Sequence, residues 1–389
     1  MNYELVVNDV RLFDGQAVDL GINGRKIAAI AGAASLSGAK RIDGGGGLCL
    51  RPLSDSHLHL DKSGTVTPGM TPPGSLAEAI SAMGTVKRDA KSRPEQVRDR
   101  MVNTLLALRG KGTRFVRALV DVDETWGLAG FDAALAAREK IGSALKIQIV
   151  AFAQEGMTDR VAEMLTEAAA RGADAIGAHT DIEADPTNHI KTAANIARKA
   201  RLPLEVHVDE PGTAEHFKLP IVLEHAGDLT GLALVHCLSL GKQPAAEQSR
   251  WIQRIKESGA AVVVAPSVLL FGLPLAPVAK LIDAGIPVGV GSDNLQDVFV
   301  PLGTGRLLET VRTIALAAQL NRLEWMAALL RGATGVGFHL VSGGPADIEP
   351  NSSASFSIFT GSSPSAVLYG DDSIRLTVID GKIEEETVR

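Results

Sequence analysis

The stretch Asp55-Ser56-His57-Leu58-His59-Leu60-Asp61 decides how this chain is read. It sets two imidazoles two residues apart directly after a short apolar run, Leu48-Cys49-Leu50-Arg51-Pro52-Leu53. Side chains at i and i+2 of an extended strand point to the same side, so His57 and His59 can each aim one nitrogen at a single ion. Neutral imidazole is a common ligand of divalent zinc or iron. Taken alone, such a pair also fits a polar strand terminus, and the rest of the chain has to decide between the two.

From about 48 to 340 the pattern alternates short apolar strands with longer amphipathic stretches, the mark of parallel strands joined by right-handed crossovers. The strands expected are Leu48-Leu53, Thr113-Val120, Lys146-Phe152, Ala175-Ala178, Leu204-Val208, Leu232-Val235, Ala261-Ala265 and Val288-Gly291. Helices are expected over Gln96-Arg109, Val161-Ala170, Ile190-Ala200 and Ala246-Ser258, each ending near glycine or a basic residue. Eight strands suggest a closed α/β barrel, whose chemistry sits at the carboxyl ends of the strands. There the first strand leads to His57 and His59, the fifth to His207, Asp209 and Glu210, the sixth to His236, and the eighth to Ser292-Asp293-Asn294. Three histidines and one carboxylate make a complete protein ligand set for a catalytic metal that keeps a position open for water.

Residues 1–47 read differently, as hairpin-like strands at Glu4-Val10, Ala17-Asn23 and Lys26-Ala31, with Asn23-Gly24 as a tight turn. The glycine run Gly44 to Gly47 is read as the exit into the next element. No cluster of ligand-type residues occurs there, so the segment is read as structural.

Composition narrows the partners. With 389 residues, 45% of them apolar, the chain can bury a barrel-sized core. Its 39 basic against 45 acidic residues give a net charge of -6, which argues against nucleic acid as a partner and for a small soluble one. Cys49 and Cys237, far apart and each read as lying in a strand, do not suggest a disulfide framework, and a cytoplasmic setting is expected. No secretory signal is read at the start of the chain. The longest apolar stretch, Ala260 to Ile282, is interrupted by Pro266, Pro274 and Pro277, so no membrane span is expected.

Several of these stretches together resemble the amidohydrolase superfamily, and within it the cytosine deaminase branch: His57-Leu58-His59-Leu60-Asp61-Lys62-Ser63, Val116 to Asp123, Gln148 to Gly156, Val206-His207-Val208-Asp209-Glu210, and Ser292-Asp293-Asn294 running on to Pro301-Leu302-Gly303-Thr304. The resemblance implies a (β/α)8 TIM barrel over 48–343 and a small β-sandwich built from both chain ends, 1–47 and 344–389, closed by a turn at Asp380-Gly381. It makes His57, His59, His207 and Asp293 the ligands of one divalent metal per chain, iron or zinc. Glu210 becomes the acid/base and His236 orients the attacking group or polarises the leaving centre, with Asp293 able to accept a proton as well as ligate. Gln154 would hydrogen-bond the amide edge of a cytosine-like substrate. Homo-oligomers are common in the family, and one is expected here. Ser355 stands where the family commonly has an acidic residue, with only a local consequence expected.

The ordinary readings stand beside these. Glu210 also fits a solvated loop carboxylate, His236 a satisfied core histidine, Gln154 a capping amide, and His179 a satisfied polar strand end as readily as a substrate contact. His189, His216, His225 and His339 lie in or beside helical stretches and are read as structural or surface residues. Arg117 and Asp121 are expected to pair with each other or to support the ligands, and Asp61 to support the strand-one histidines. The substrate remains open. Leu119 stands where cytosine deaminases carry histidine, Ser292 and Asn294 flank the aspartate where the deaminases differ, and Phe299 replaces a ring-covering tryptophan. The Ser-Asp-Asn triplet and Asp61-Lys62-Ser63 are instead similar to N-isopropylammelide hydrolases. A metal-dependent deaminase of an aminated N-heterocycle is therefore expected, with an N-alkylammelide amidohydrolase as the alternative. Ring-opening cyclic amidases bridge two metals through a carboxylated lysine on strand four, and Gly172 to Glu183 holds no lysine. A non-catalytic barrel would be expected to have lost ligands that are all present.

Overall fold

The computed structural model describes residues 2–32, 34–67, 69–71, 73–91, 93–181 and 185–386; Met1 and the last three residues of the expected C-terminal return lie outside them. The chain opens with β1 (Asn2–Arg11), β2 (Ala17–Asn23), β3 (Lys26–Gly32) and β4 (Ser37–Leu50). The barrel strands follow: β5 (Leu53–His59), β6 (Thr113–Asp121), β7 (Lys146–Phe152), β8 (Ala175–His179), β9 (Leu204–Val208), β10 (Ala233–His236), β11 (Ala261–Val264) and β12 (Val288–Val290). They lie side by side in chain order in one eight-stranded parallel sheet.

Helices α1 (Leu76–Lys91) and α2 (Pro94–Arg109) fill the first crossover. The next six are each spanned by one: α3 (Ala129–Ile141), α4 (Asp159–Ala170), α5 (Pro186–Ala200), α6 (Leu219–Ala226), α7 (Ala245–Ser258) and α8 (Val278–Asp283). After β12 come α9 (Leu307–Ala317), α10 (Leu323–Arg331) and α11 (Gly337–Ser342). Along β6 the strand period divides two environments. Val116, Ala118 and Val120 join the apolar core shared with the helices, whereas Leu119 meets Val150, Phe152 and Ala175 in a separate cluster. At the amino end of the barrel α11 packs Leu340 against Ala233, Val235, Ala261 and Val263. Gly337 sits so close there that a Cβ would fall 2.4 Å from the Ser54 carbonyl oxygen.

The barrel closes where β12 runs past β5. Asp293 lies opposite Leu58, its N–H donates to His57 O at 2.8 Å, and its own carbonyl accepts from His59 N–H at 2.7 Å. Gly291 makes the approach possible, since a Cβ there would lie 2.6 Å from His57 Cβ.

Both chain ends build the second sheet. Strands β13 (Phe356–Phe359), β14 (Ile374–Ile379) and β15 (Lys382–Glu386), with α12 (Pro364–Tyr369) between the first two, complete the order β15-β14-β13-β4-β1-β2-β3. Leu5, Val7, Leu20 and Ile22 share one apolar cluster with Phe356, Ile358, Leu376 and Val378. Asp380 and Gly381, at φ 49° and 78°, form the turn between β14 and β15, a conformation suited to a two-residue hairpin. Ser355, at the divergent position, accepts the Asp380 N–H on Oγ at 2.9 Å.

The first barrel strand is displaced from its expected place. Leu48–Leu50 do not begin it; they finish β4, where Cys49 and Leu50 pair with Ile358 and Ser357 of β13. Gly44 to Gly47 likewise belong to β4. The partner strand arrives from some three hundred residues away, so local pattern could not assign the pairing. Pro52, with no N–H to donate, separates the two sheets, and β5 begins at Leu53. Cys237 also lies outside its expected strand, one residue beyond β10 at φ 50°.

Candidate active site

The carboxyl ends of the barrel strands converge on one cavity of about 320 Å³, lined by His59, Lys62, Gln154, His179, Asp181, His207, Glu210, Asp293, Asn294 and Phe299, with Ala77 and Ile80 of α1 and Pro211 on the apolar side. His57 lies beneath it, fully buried. One ring nitrogen each from His57, His59 and His207 lie within 4.8 Å of one another. Asp293 Oδ1 stands 3.3 Å from His57 Nε2 and 3.4 Å from His59 Nε2. The chain reaches these positions through left-handed turns: Asp209, His236 and Asp293 have φ of 58°, 70° and 63°. Non-glycine residues held there store backbone strain of about 1–3 kcal/mol each, a feature that clusters at functional sites.

The donor set fits a divalent cation. The Nε2 atoms of His57 and His207 are buried without a hydrogen-bond partner, an arrangement that costs free energy unless something else satisfies them. Burial, followed by neighbouring positive groups, holds His59 and His207 well below the ordinary histidine value, so both present neutral lone pairs. For His57 burial also lowers the value, but the Asp293 and Glu205 carboxylates outweigh it and raise it to about 9. Burial raises the Asp293 carboxyl, and the adjacent His57 first, with His236 and His207, overcomes this and holds it below the usual carboxylate range.

Three of the four candidate donors, His57, His59 and Asp293, are braced from behind. His57 Nδ1 donates to Glu205 Oε1 at 2.6 Å, which leaves Nε2 as the nitrogen free to ligate. Glu205 is in turn gripped by the Arg117 guanidinium, which also donates to Gln148 Oε1 at 2.6 Å. Lys62 Nζ lies 3.0 Å from His59 Nδ1 and 2.7 Å from Asp121 Oδ1. The Ser267 hydroxyl donates to Asp293 Oδ2.

Glu210 faces the same cavity. Its Oε2 lies 2.8 Å from His179 Nε2, and Asp181 Oδ2 accepts its backbone N–H at 3.0 Å. Burial raises its carboxyl, but the His179 bond and the charges of His236 and His179 more than offset this, and the net direction is down. His236 stands 3.9 Å from Asp293 Oδ2 with neither ring nitrogen hydrogen-bonded, and burial lowers its value. Gln154 Oε1 is also buried without a partner.

Arg117 and Asp121 follow the second of their two readings: Arg117 pairs with Glu205 behind His57, and Asp121 with Lys62 behind His59 and with Lys87. Two expectations need correction. Asp61 accepts the Asp121 N–H at 2.8 Å and acts on that support, not on a histidine. Leu119 and Ser292 do not line the cavity, whereas Asn294 and Phe299 do. Glu205, Lys62, Asp181 and Ser267 carried no assigned role. Glu205 had a signal: two residues before His207 on one strand, it must share that histidine's face. Ser267 had none, because its contact depends on how the turn after β11 folds. His179, readable in two ways, meets both Glu210 and the cavity.

An eight-stranded parallel barrel with such a donor set at its carboxyl ends defines a barrel hydrolase with a site suited to a divalent metal. The chain belongs to the Amidohydrolase family, matching it over residues 53–383. It is 26% identical to N-isopropylammelide isopropyl amidohydrolase of Pseudomonas sp. (strain ADP), over 98% of this chain and 97% of that protein. Its fold is shared with 5-methylcytosine deaminase of Klebsiella pneumoniae, at a TM-score of 0.89 and 23% identity over 99% and 98% of the two chains. N-isopropylammelide isopropylaminohydrolase of Burkholderia multivorans ATCC 17616 is similar at a TM-score of 0.83 and 26% identity, over 97% of each chain. Hydrolysis of C–N bonds is the chemistry these relatives share with the family.

Proposed function

We propose that the chain is a metal-dependent aminohydrolase that replaces the amino group of a planar nitrogen heterocycle with oxygen. The observation that carries this reading is the placement of the Glu210–His179 pair beside the His57, His59, His207 and Asp293 cluster, in a cavity sized for one ring. A divalent cation, iron or zinc, held by those four residues would supply water of lowered pKa as the nucleophile.

The protein groups then have separable tasks. Glu210, ionised at rest, takes one proton from the attacking water and delivers it to the ring nitrogen next to the carbon attacked. The water oxygen bonds to that carbon, and the second proton passes to the amine as the C–N bond breaks, so ammonia or an amine leaves and a carbonyl remains. His236 and Asp293 flank the reacting oxygen, and the Ser267 hydroxyl fixes the outer oxygen of Asp293. Gln154 and Asn294 address the polar edge of the ring, and Phe299 covers its face.

The substrate divides two readings. A cytosine-like amino heterocycle agrees with Gln154 and with the fold of the Klebsiella deaminase. An N-alkylated ammelide is favoured by the 26% identity to the Pseudomonas amidohydrolase over 98% of this chain. The deciding experiment loads the protein with iron or zinc and measures ammonia and amine release from cytosine, isocytosine, creatinine and N-alkylated ammelides. Turnover of cytosine selects the first reading and release of alkylamine the second; silence across an aminated panel by folded, loaded protein rejects both. The buried free thiols of Cys49 and Cys237 favour a reducing cytoplasm, and a homo-oligomer is part of the reading. Among the described residues no helix is long and apolar enough to cross a membrane.

A further inference from the structure

Lys87 belongs to α1, the helix that lends Ala77 and Ile80 to the cavity wall. The side chain is 1% exposed and its Nζ sits among three carboxylates, 2.7 Å from Asp121 Oδ2, 2.6 Å from Asp123 Oδ2 and 2.5 Å from Glu155 Oε1. Those three acids lie close enough to hold a cation, and the ammonium stands among them. A buried ammonium costs several kcal/mol unless it is fully paired, and lysine's three rotatable donors can serve three acceptors at once.

Two of the partners, Asp121 and Glu155, lead toward different walls of the cavity. Asp121 uses its other oxygen on Lys62, which contacts His59 Nδ1. Glu155 directly follows Gln154 in the chain. The helix itself packs Ala79 and Met83 into one apolar cluster with Val298 and Phe299. We propose that Lys87 is a positioning residue: it ties α1 to the His59 side of the metal site and thereby sets the distance between the apolar wall and the reacting groups. That the cavity receives a substrate rests on the function proposed above.

Lys87→Met leaves three buried carboxylates with one counter-ion fewer and is at risk of unfolding, so it is paired with Lys87→Met/Asp123→Asn, which removes one surplus charge. Zinc affinity of the metal-free protein is measured by competition with a chromophoric chelator, and hydrogen exchange is followed over residues 76–91. In the double variant zinc affinity is expected to fall about ten- to a hundredfold, and exchange to accelerate over 76–91 while the barrel strands stay protected. On a substrate identified by the panel, KM is expected to rise by a larger factor than kcat falls. Wild-type zinc affinity, or wild-type protection of 76–91, in a folded double variant overturns the proposal. Neither of these readouts needs turnover, so a wrong substrate assignment leaves the test intact.

Discussion

His179 Nδ1 accepts the Asp181 N–H at 2.9 Å, and this fixes the proton of its imidazole on Nε2, the atom 2.8 Å from Glu210 Oε2. The histidine is therefore a donor to Glu210 and stabilises it as a carboxylate ready to receive a proton. When Glu210 takes a proton on Oε1, Oε2 can still accept this bond, now weakened by the loss of the carboxylate charge.

Glu210→Gln keeps the size of the side chain and removes its basicity. Turnover should fall by roughly 10²–10⁴, with one metal per chain retained by elemental analysis. Turnover at the wild-type rate would remove Glu210 from the mechanism. His179→Phe should lower kcat while leaving metal content unchanged, and should shift the acid limb of the kcat/KM profile upward, because the carboxylate loses the donor that holds it ionised.

Glu205 couples His57 to Arg117. In Glu205→Gln the metal affinity should drop about 10- to 100-fold, and the guanidinium left buried without its counter-ion should cost about 3–5 kcal/mol in urea unfolding. Adding Arg117→Met should return much of the stability and none of the metal affinity. Recovery of both would mean that Glu205 serves the fold alone.

Gln154 carries a buried acceptor with no partner. Truncation in Gln154→Ala relieves that deficit, so stability should hold or rise by up to about 1 kcal/mol, while KM for the heterocycle rises severalfold. A variant that is less stable but binds substrate normally would contradict this assignment.

Asp297 accepts the N–H groups of Phe299 and Val300 at 2.9 Å each and the Asn294 amide at 2.7 Å. Burial outweighs these bonds and lifts its carboxyl from 3.8 to about 6. Between those values the folded protein keeps a proton that the unfolded chain releases. Its contribution to stability is thus complete below pH 3.8 and is lost as pH rises through about 6. Asp297→Asn should flatten this part of the stability curve, measured as the difference in urea midpoint between variant and wild type from pH 4 to 7.

How much of this the sequence disclosed depends on the range over which each feature is decided. His57 and His59 are legible because a two-residue strand period is local, and His207, Asp293 and Glu210 because barrel chemistry gathers at strand ends. The four helices expected from their apolar period, now α2, α4, α5 and α7, were placed to within a few residues. What escaped was settled across the barrel. Arg117 and Asp121 sit on one strand four residues apart, yet each answers to a charge supplied by another element, Glu205 for the first and Lys62 with Lys87 for the second. The displaced start of β5 is of the same kind, since Cys49 and Leu50 are claimed by β13 from the far end of the chain. Lys87 gives no sign of its place in the sequence, because a lysine on an amphipathic helix reads as a solvated residue.

The seam between β5 and β12 is the weakest join in the barrel wall: every other pair of neighbouring strands forms a ladder, and here a single bridge lies between Leu58 and Asp293. His57 and His59 stand on one lip of that seam and Asp293 on the other. A cation bound by all three would act as a clasp on the barrel, and its free energy of binding would be added to closure. Metal loading and barrel integrity should then fail together: stripping the ion should loosen β5 and β12 first, at the place where the first and last strands of the wall meet.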